Sequence, residues 1–326
     1  MEQLTDGFGR VHRDLRISVT DRCNLRCTYC MPPEGLRWLD RADLLTFEEI
    51  TRIAAVAVGE FGIGSIRLTG GEPTVRADLD QLVASLSSLD VDLSLTTNGT
   101  RLSALAAPLV EAGLRRVNLS IDSLRPERFA ELTHRDELDA VLAGLDAAQR
   151  VGLDPVKVNC VVMRGVNDDE LVDFARFGRE RGVVVRFIEF MPLDAQGDWN
   201  AGAVVSQREI VERVGAVFPL EAVGRGDEPA ERFRFVDGVG EIGVIPSVTE
   251  PFCGNCDRIR LTADGRLRNC LFAVEETDLR AVLRSGGTDA DLADEMRSCV
   301  AGKWAGHAIG RVEFIRPPRS MSQIGG

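Results

Sequence analysis

The chain has 326 residues, 44% of them hydrophobic and 28% charged, the balance of an ordinary globular protein with room for a sizeable core. A formal net charge of −12 argues against nucleic acid as a partner, because phosphate backbones are met by basic surface fields. The most apolar stretch, residues 53–64, is interrupted by Glu60 and falls short of the roughly 18 residues of a membrane span; no apolar run follows the N-terminal charges, so a cytoplasmic location is expected.

In chain order, β-rich runs at 14–20, 65–69, 92–97, 115–122, 156–163 and 183–191 alternate with helical patterns such as 46–61 and 171–182. That alternation predicts an α/β fold with a parallel sheet and crossover helices. Thr46, followed by Glu48 and Glu49, reads as an N-cap, and Gly113, Gly152 and Gly182 as helix ends. Beyond a polar stretch at 224–229, the runs RFRFV and EIGVIPSV flank DGVG, and RIRLT and RLRNC flank ADG. Both pairs read as antiparallel hairpins. The expected organisation is therefore a parallel α/β unit over 1–225 and a C-terminal antiparallel β region over 226–326.

Splitting each strand into its two faces separates apolar from polar side chains. Leu15, Ile17 and Val19 oppose Arg16, Ser18 and Thr20; Ile66 and Leu68 oppose Arg67 and Thr69; Leu93 and Leu95 oppose Ser94 and Thr96. Val117, Leu119 and Ile121 oppose Asn118, Ser120 and Asp122, and Val156, Val158 and Cys160 oppose Lys157 and Asn159. The sixth run is less regular, with Glu189 and Met191 placed on one face. A parallel sheet covered on both sides reads as continuous apolar runs, so one face here is wet. A closed eight-stranded barrel fills its interior with branched apolar side chains, so the polar face points to an incomplete TIM-type barrel around a large polar ligand. An open sheet with one solvent-facing side is the alternative.

Three of the eight cysteines, Cys23, Cys27 and Cys30, follow the first run within CNLRCTYC. Three thiolates in a tight loop suit an iron-sulfur cluster, or a zinc ion completed by a distant ligand. Cys253, Cys256 and Cys270 form a second triplet if the turn at Asp264-Gly265 folds the chain back. A zinc knuckle completed by Cys299 or His307 is the alternative there. Cys160 and Cys299 otherwise read as small core residues, and Trp38, Trp199 and Trp304 as packing. His12, His134 and His307 show no ligand spacing.

The first triplet with Tyr29 before its third cysteine, and LTGGEP (68–73) after the second strand, resemble the signature of the radical S-adenosylmethionine superfamily. With CGNCDRIRLTADGRLRNC (253–270) and the final Gly325-Gly326, essentially the whole chain resembles the GTP 3′,8-cyclase family of molybdenum cofactor biosynthesis. The resemblance implies two 4Fe-4S clusters, one on Cys23, Cys27 and Cys30 that binds S-adenosylmethionine, the other on Cys253, Cys256 and Cys270 that binds the guanine of GTP. It implies that Tyr29, Gly71, Ser120 and Met191 contact S-adenosylmethionine. It further implies that Arg16, Arg67, Thr96, Lys157, Arg258, Ile259 and Arg260 contact GTP, and that Gly325 and Gly326 reach into the active site. The implied reaction is 5′-deoxyadenosyl radical abstraction of the ribose 3′ hydrogen, followed by attack on guanine carbon 8. The implied partners are an electron donor and a downstream cyclic pyranopterin monophosphate synthase, with no nucleic acid or membrane, for a monomer or homodimer.

Overall fold

The computed structural model describes residues 2–325 apart from 33, 195, 196, 198, 227 and 310–313. Six strands, β1 (Asp14–Ser18), β2 (Ser65–Thr69), β3 (Asp92–Thr97), β4 (Arg116–Ser120), β5 (Val156–Val162) and β6 (Val184–Glu189), pair in sequence order, every neighbour parallel. Helices fill the crossovers. The first, Phe47–Phe61, is fixed at its start by Thr46, which accepts from the Glu49 N–H while Glu49 accepts from the Thr46 N–H. It ends at Gly62, whose φ of 69° is left-handed.

The C-terminal third adds β7 (Leu220–Gly224), β8 (Glu231–Phe235), β9 (Glu241–Ile245), β10 (Arg258–Leu261), β11 (Arg266–Arg268) and β12 (Thr277–Asp278). Both expected hairpins form, β8 with β9 and β10 with β11, and both join the same sheet. β9 pairs in parallel with β6, and β10 in parallel with β1. The partial TIM barrel thus has eight parallel strands, with short antiparallel strands beyond β9 and β10. β7 and β12 were not foreseen: Leu220–Gly224 is largely exposed and lacks an alternating pattern, and β12 has two residues.

The two faces separate as the alternation requires. Leu15, Ile66, Leu93, Val117, Val158 and Phe187 are fully buried in one core with the helices, and Cys160 and Cys299 belong to it. Burying a side chain of this size contributes about 1.5–3 kcal/mol. Trp304, expected to pack, is 46% exposed, and what is held there is its backbone carbonyl, which accepts from Arg10.

Candidate active site

At the C-terminal end of β1 the chain turns through Thr20–Arg22 into the first cysteine loop. β2 delivers Gly70 and Gly71 against that turn, with Gly71 N–H donating to Thr20 O (2.8 Å) and Glu72 N–H to Arg22 O (2.8 Å). A Cβ on Gly70 would stand 2.4 Å from Thr20 O, and one on Gly71 2.5 Å from the Asp21 and Arg22 oxygens, so nothing larger than glycine fits. The loop is pinned from outside by Arg26 N–H and Thr28 N–H, donating to Thr133 O and Leu132 O (both 2.9 Å).

The three thiols feel one another's charge. Burial, then the nearby Glu72 carboxylate, pushes Cys23 up to about 11; burial, then Cys23, pushes Cys30 up to about 12; Cys27 is raised by burial and Asp122. Buried thiols beside carboxylates need a cationic group before they become thiolates, and metal binding supplies it by displacing protons. Among the described residues no three Cys, His, Asp or Glu side chains converge closely enough for one metal ion. Each triplet offers three free thiols, the soft donor set that a four-iron cluster takes.

One cavity of about 220 Å³ runs from this loop across the polar face of the sheet. Strand register sets its lining: Arg260, Arg16 and Arg67 form one row across β10, β1 and β2, and Ser120, Asn159 and Arg186 another across β4, β5 and β6. Burial, then the charge of Arg67, lowers Arg16 to about 9. Burial is also the main cause that lowers Arg67 and Arg186 to about 10 and Arg260 well down, Arg260 being opposed next by Arg16 and Arg258. Among the described residues the buried Arg16 Nε has no hydrogen-bond partner, the Asp14 carboxylate standing 3.7 Å away. So many buried guanidiniums around so few carboxylates call for an anion.

The second triplet forms at the opposite, N-terminal end of the strands. The segment between β9 and β10 carries Cys253 and Cys256, and Arg13 N–H and Asp14 N–H donate to Asp257 O (3.0 and 3.3 Å) where it meets the start of β1. β11 runs back alongside β10 and returns Cys270 to the same end. Burial raises Cys253, on which Cys270 and Cys256 also act. Burial acts upward on Cys256 too, yet Arg258 and Lys303 bring it below the ordinary thiol value. Arg258 and Arg260 face the cavity from the same strand, and Arg258 lies 4.4 Å from the Phe252 ring centroid.

The C-terminal tail enters this cavity. Met321 and Ser322 line it, and Ser322 acts on the Cys30 thiol, lowering it against the effect of burial. Ser18 Oγ donates to Ile324 O (3.0 Å), and Arg260 donates to the Gly325 carbonyl. At a φ of +85°, a Cβ on Gly325 would lie 2.1 Å from Ser18 Oγ.

Residues 17–178 match the Radical SAM superfamily, and residues 183–309 match Molybdenum Cofactor Synthesis C. A protein of Streptomyces coelicolor named GTP 3′,8-cyclase is 51% identical over 99% of this chain and 96% of its own length. GTP 3′,8-cyclase of Corynebacterium glutamicum is 47% identical over 99% and 89%, and GTP 3′,8-cyclase 2 of Mycobacterium tuberculosis 47% over 99% and 92%. The chain belongs to the GTP 3′,8-cyclase family. Among solved structures, Streptococcus suis SuiB bound to S-adenosylmethionine superposes with a TM-score of 0.60 at 14% identity, covering 91% of this chain and 74% of that one. Methylornithine synthase (PylB) gives 0.51 at 20% identity, over 64% and 63%. Both share the fold.

Of the residues that the family resemblance assigns, Cys23, Cys27, Cys30, Tyr29, Gly71, Ser120, Met191, Arg16, Arg67, Thr96, Arg258 and Arg260 line the one cavity. Two do not. Ile259 is fully buried in the core opposite Leu15, because flanking Arg258 and Arg260 take the cavity face, so only its backbone is left to meet a ligand. Lys157 lies at the start of β5 in an adjoining recess, paired with Glu228 (2.9 Å) and connected to the cavity through Arg186. Gly326 lies outside the described residues.

Sequence reasoning missed Arg186, 4% exposed, whose Nε donates to Asn159 Oδ1 (2.9 Å) and Nη2 to Asn118 Oδ1 (2.7 Å). Val185 and Phe187 in the core were the available signal. The expected pairing of Glu189 with Met191 fails because β6 stops at Glu189. The Glu189 carboxylate accepts from the N–H groups of Gln207, Val248 and Thr249, while Met191 turns into the cavity. Asp122 was also missed as a partner: Tyr29 Oη donates to it (2.7 Å), and burial pushes its carboxyl up to about 6.

Proposed function

We infer that this chain is a radical S-adenosylmethionine enzyme with two 4Fe-4S clusters that converts GTP to 3′,8-cyclo-7,8-dihydroGTP, the first step of molybdenum cofactor biosynthesis. Cys23, Cys27 and Cys30 would hold the first cluster, and Cys253, Cys256 and Cys270 the second. What these groups supply is an electron into the sulfonium of S-adenosylmethionine, hence a 5′-deoxyadenosyl radical that takes the ribose 3′ hydrogen so that the sugar closes on guanine carbon 8.

The observation that carries the reading is the cavity that joins the loop of Cys23, Cys27 and Cys30 to the arginines of β10, β1 and β2, with Cys256 two residues before the cavity-lining Arg258. Tyr29, Gly71, Ser120 and Met191 are the proposed contacts of S-adenosylmethionine. Tyr29 is held in place by Asp122, and the glycines let the β2 turn approach the cysteine loop. Arg16, Arg67, Arg258 and Arg260, with Arg186 added, are proposed to orient the triphosphate by charge-assisted hydrogen bonds. Thr96 and Lys157 would complete that set. Gly325 lends its carbonyl to Arg260, which supports a role for the tail in orienting that guanidinium. Labour would divide near residue 225: 1–225 for the cofactor, 226–326 for the second triplet and the tail. A cytoplasmic location, a separate electron donor and a downstream synthase that consumes the product belong to the same proposal.

The test is anaerobic turnover with strong reductant, S-adenosylmethionine and GTP deuterated at the ribose 3′ carbon. Deuterium is expected in 5′-deoxyadenosine, in step with the cyclised nucleotide. Deuterium left in the nucleotide would refute the assignment.

A further inference from the structure

Of the 39 basic residues only Lys157 and Lys303 are lysine. A chain that otherwise places arginine at its cationic positions has an ammonium at Lys303, and the surroundings give a reason. Lys303 follows the helix Asp289–Ala301 and is 5% exposed. Its Nζ stands 2.8 Å from His12 Nε2, 2.8 Å from Arg258 O, 3.4 Å from Cys256 O and 3.6 Å from Cys256 Sγ. Three ammonium protons thus meet a ring nitrogen, a carbonyl and the Cys256 group. A planar guanidinium has no such arrangement of donors and needs more room.

His12 is fully buried, and its other ring nitrogen, Nδ1, lies 3.3 Å from Leu4 O. With Nδ1–H donating to that carbonyl, Nε2 is left to accept from Lys303, so the imidazole is a neutral prop. Arg10 braces the same bracket. Its Nη1 donates to Cys253 O (2.6 Å) and Ala305 O (2.9 Å), and its Nη2 to Trp304 O (2.6 Å). The N-terminal segment, closed by a bridge between Thr5 and Val11, therefore holds the ammonium against a cysteine sulfur.

We propose that Lys303, propped by His12, is a positioning residue that donates to the Cys256 sulfur and raises the reduction potential of the second cluster. This rests on the reading that Cys253, Cys256 and Cys270 hold such a cluster. A fixed positive charge beside a ligating sulfur favours the more negative, reduced form, and hydrogen bonds to the sulfurs act in the same direction.

The test uses the full chain, reconstituted anaerobically, with iron content measured and each cluster's midpoint followed by EPR-monitored redox titration. The second cluster is recognised by the signal that changes when GTP is added. Lys303→Met is expected to keep about eight irons and to make reduction of that cluster at least tenfold less favourable, about 59 mV for a one-electron couple. The cluster that responds to S-adenosylmethionine should keep its midpoint, and Lys303→Arg should fall between wild type and Lys303→Met. If Lys303→Met loses the second cluster while Lys303→Arg keeps it, the midpoint of Lys303→Arg decides: a value below that of the wild type supports the proposal and an equal one overturns it. An unchanged midpoint in Lys303→Met, or loss of the cluster in both variants, overturns it. About four irons in the wild type would instead refute the underlying reading.

Discussion

Around the first cysteine triplet the charges that act most on the thiols are the carboxylates of Glu72 and Asp122, whereas around the second they include Arg258, Lys303 and Arg10. The first is built within a single loop, the second from two segments that a hairpin brings together. Carboxylates thus oppose thiolate formation at Cys23 and Cys27, whereas cations favour it at Cys256. A cluster among carboxylates resists reduction and, once reduced, is a strong donor, as cleavage of a sulfonium requires. A cluster among cations suits the binding of an anionic nucleotide.

The most severe way to break the comparison is to remove one thiol from each side. Cys27→Ala should abolish formation of 5′-deoxyadenosine, while Cys256→Ala should abolish the cyclised nucleotide yet retain cleavage of S-adenosylmethionine. Each should hold about four irons instead of about eight. Full cleavage activity in Cys27→Ala would end the division of roles. Gly325→Ala, whose methyl group would collide with Ser18, should lower cyclisation by ~10²-fold, the scale of a misplaced reacting partner. Iron content and cleavage of S-adenosylmethionine should be unaffected, which single-turnover assays would resolve.

Arg186→Gln should raise the KM for GTP by about tenfold to a hundredfold, the equivalent of one or two charge-assisted hydrogen bonds. An unchanged KM would move the triphosphate away from β6. Ile259→Val is the mildest change: about 1 kcal/mol of stability lost in denaturant titration, with GTP affinity unaltered. A raised KM there would reinstate its side chain as a contact.

The inner face of β1 to β5 was legible because apolar residues alternate strictly with polar ones over Leu15–Ser18 or Val156–Asn159. The first triplet was legible because its ligands fall within eight residues. In β6, VVRFIE puts apolar residues on both faces, so alternation alone did not single out Arg186. Nor did any local signal indicate that β9 and β10, which read as parts of hairpins, would also dock in parallel on opposite edges of the six-stranded core. That docking depends on complementarity between strands far apart in sequence. Lys157 was placed on the correct face but at the wrong depth, since alternation gives the side of a strand and not the height along the barrel axis.

The pairing of β10 with β1 also governs the order of events during synthesis. β1 is among the first strands to leave the ribosome and waits with a bare edge until one of the last arrives, whereas β6 is covered earlier, by β9. Iron delivery to the second triplet therefore belongs after translation has almost finished. Ribosome-bound chains halted before β10 should remain prone to aggregation and accept no iron there.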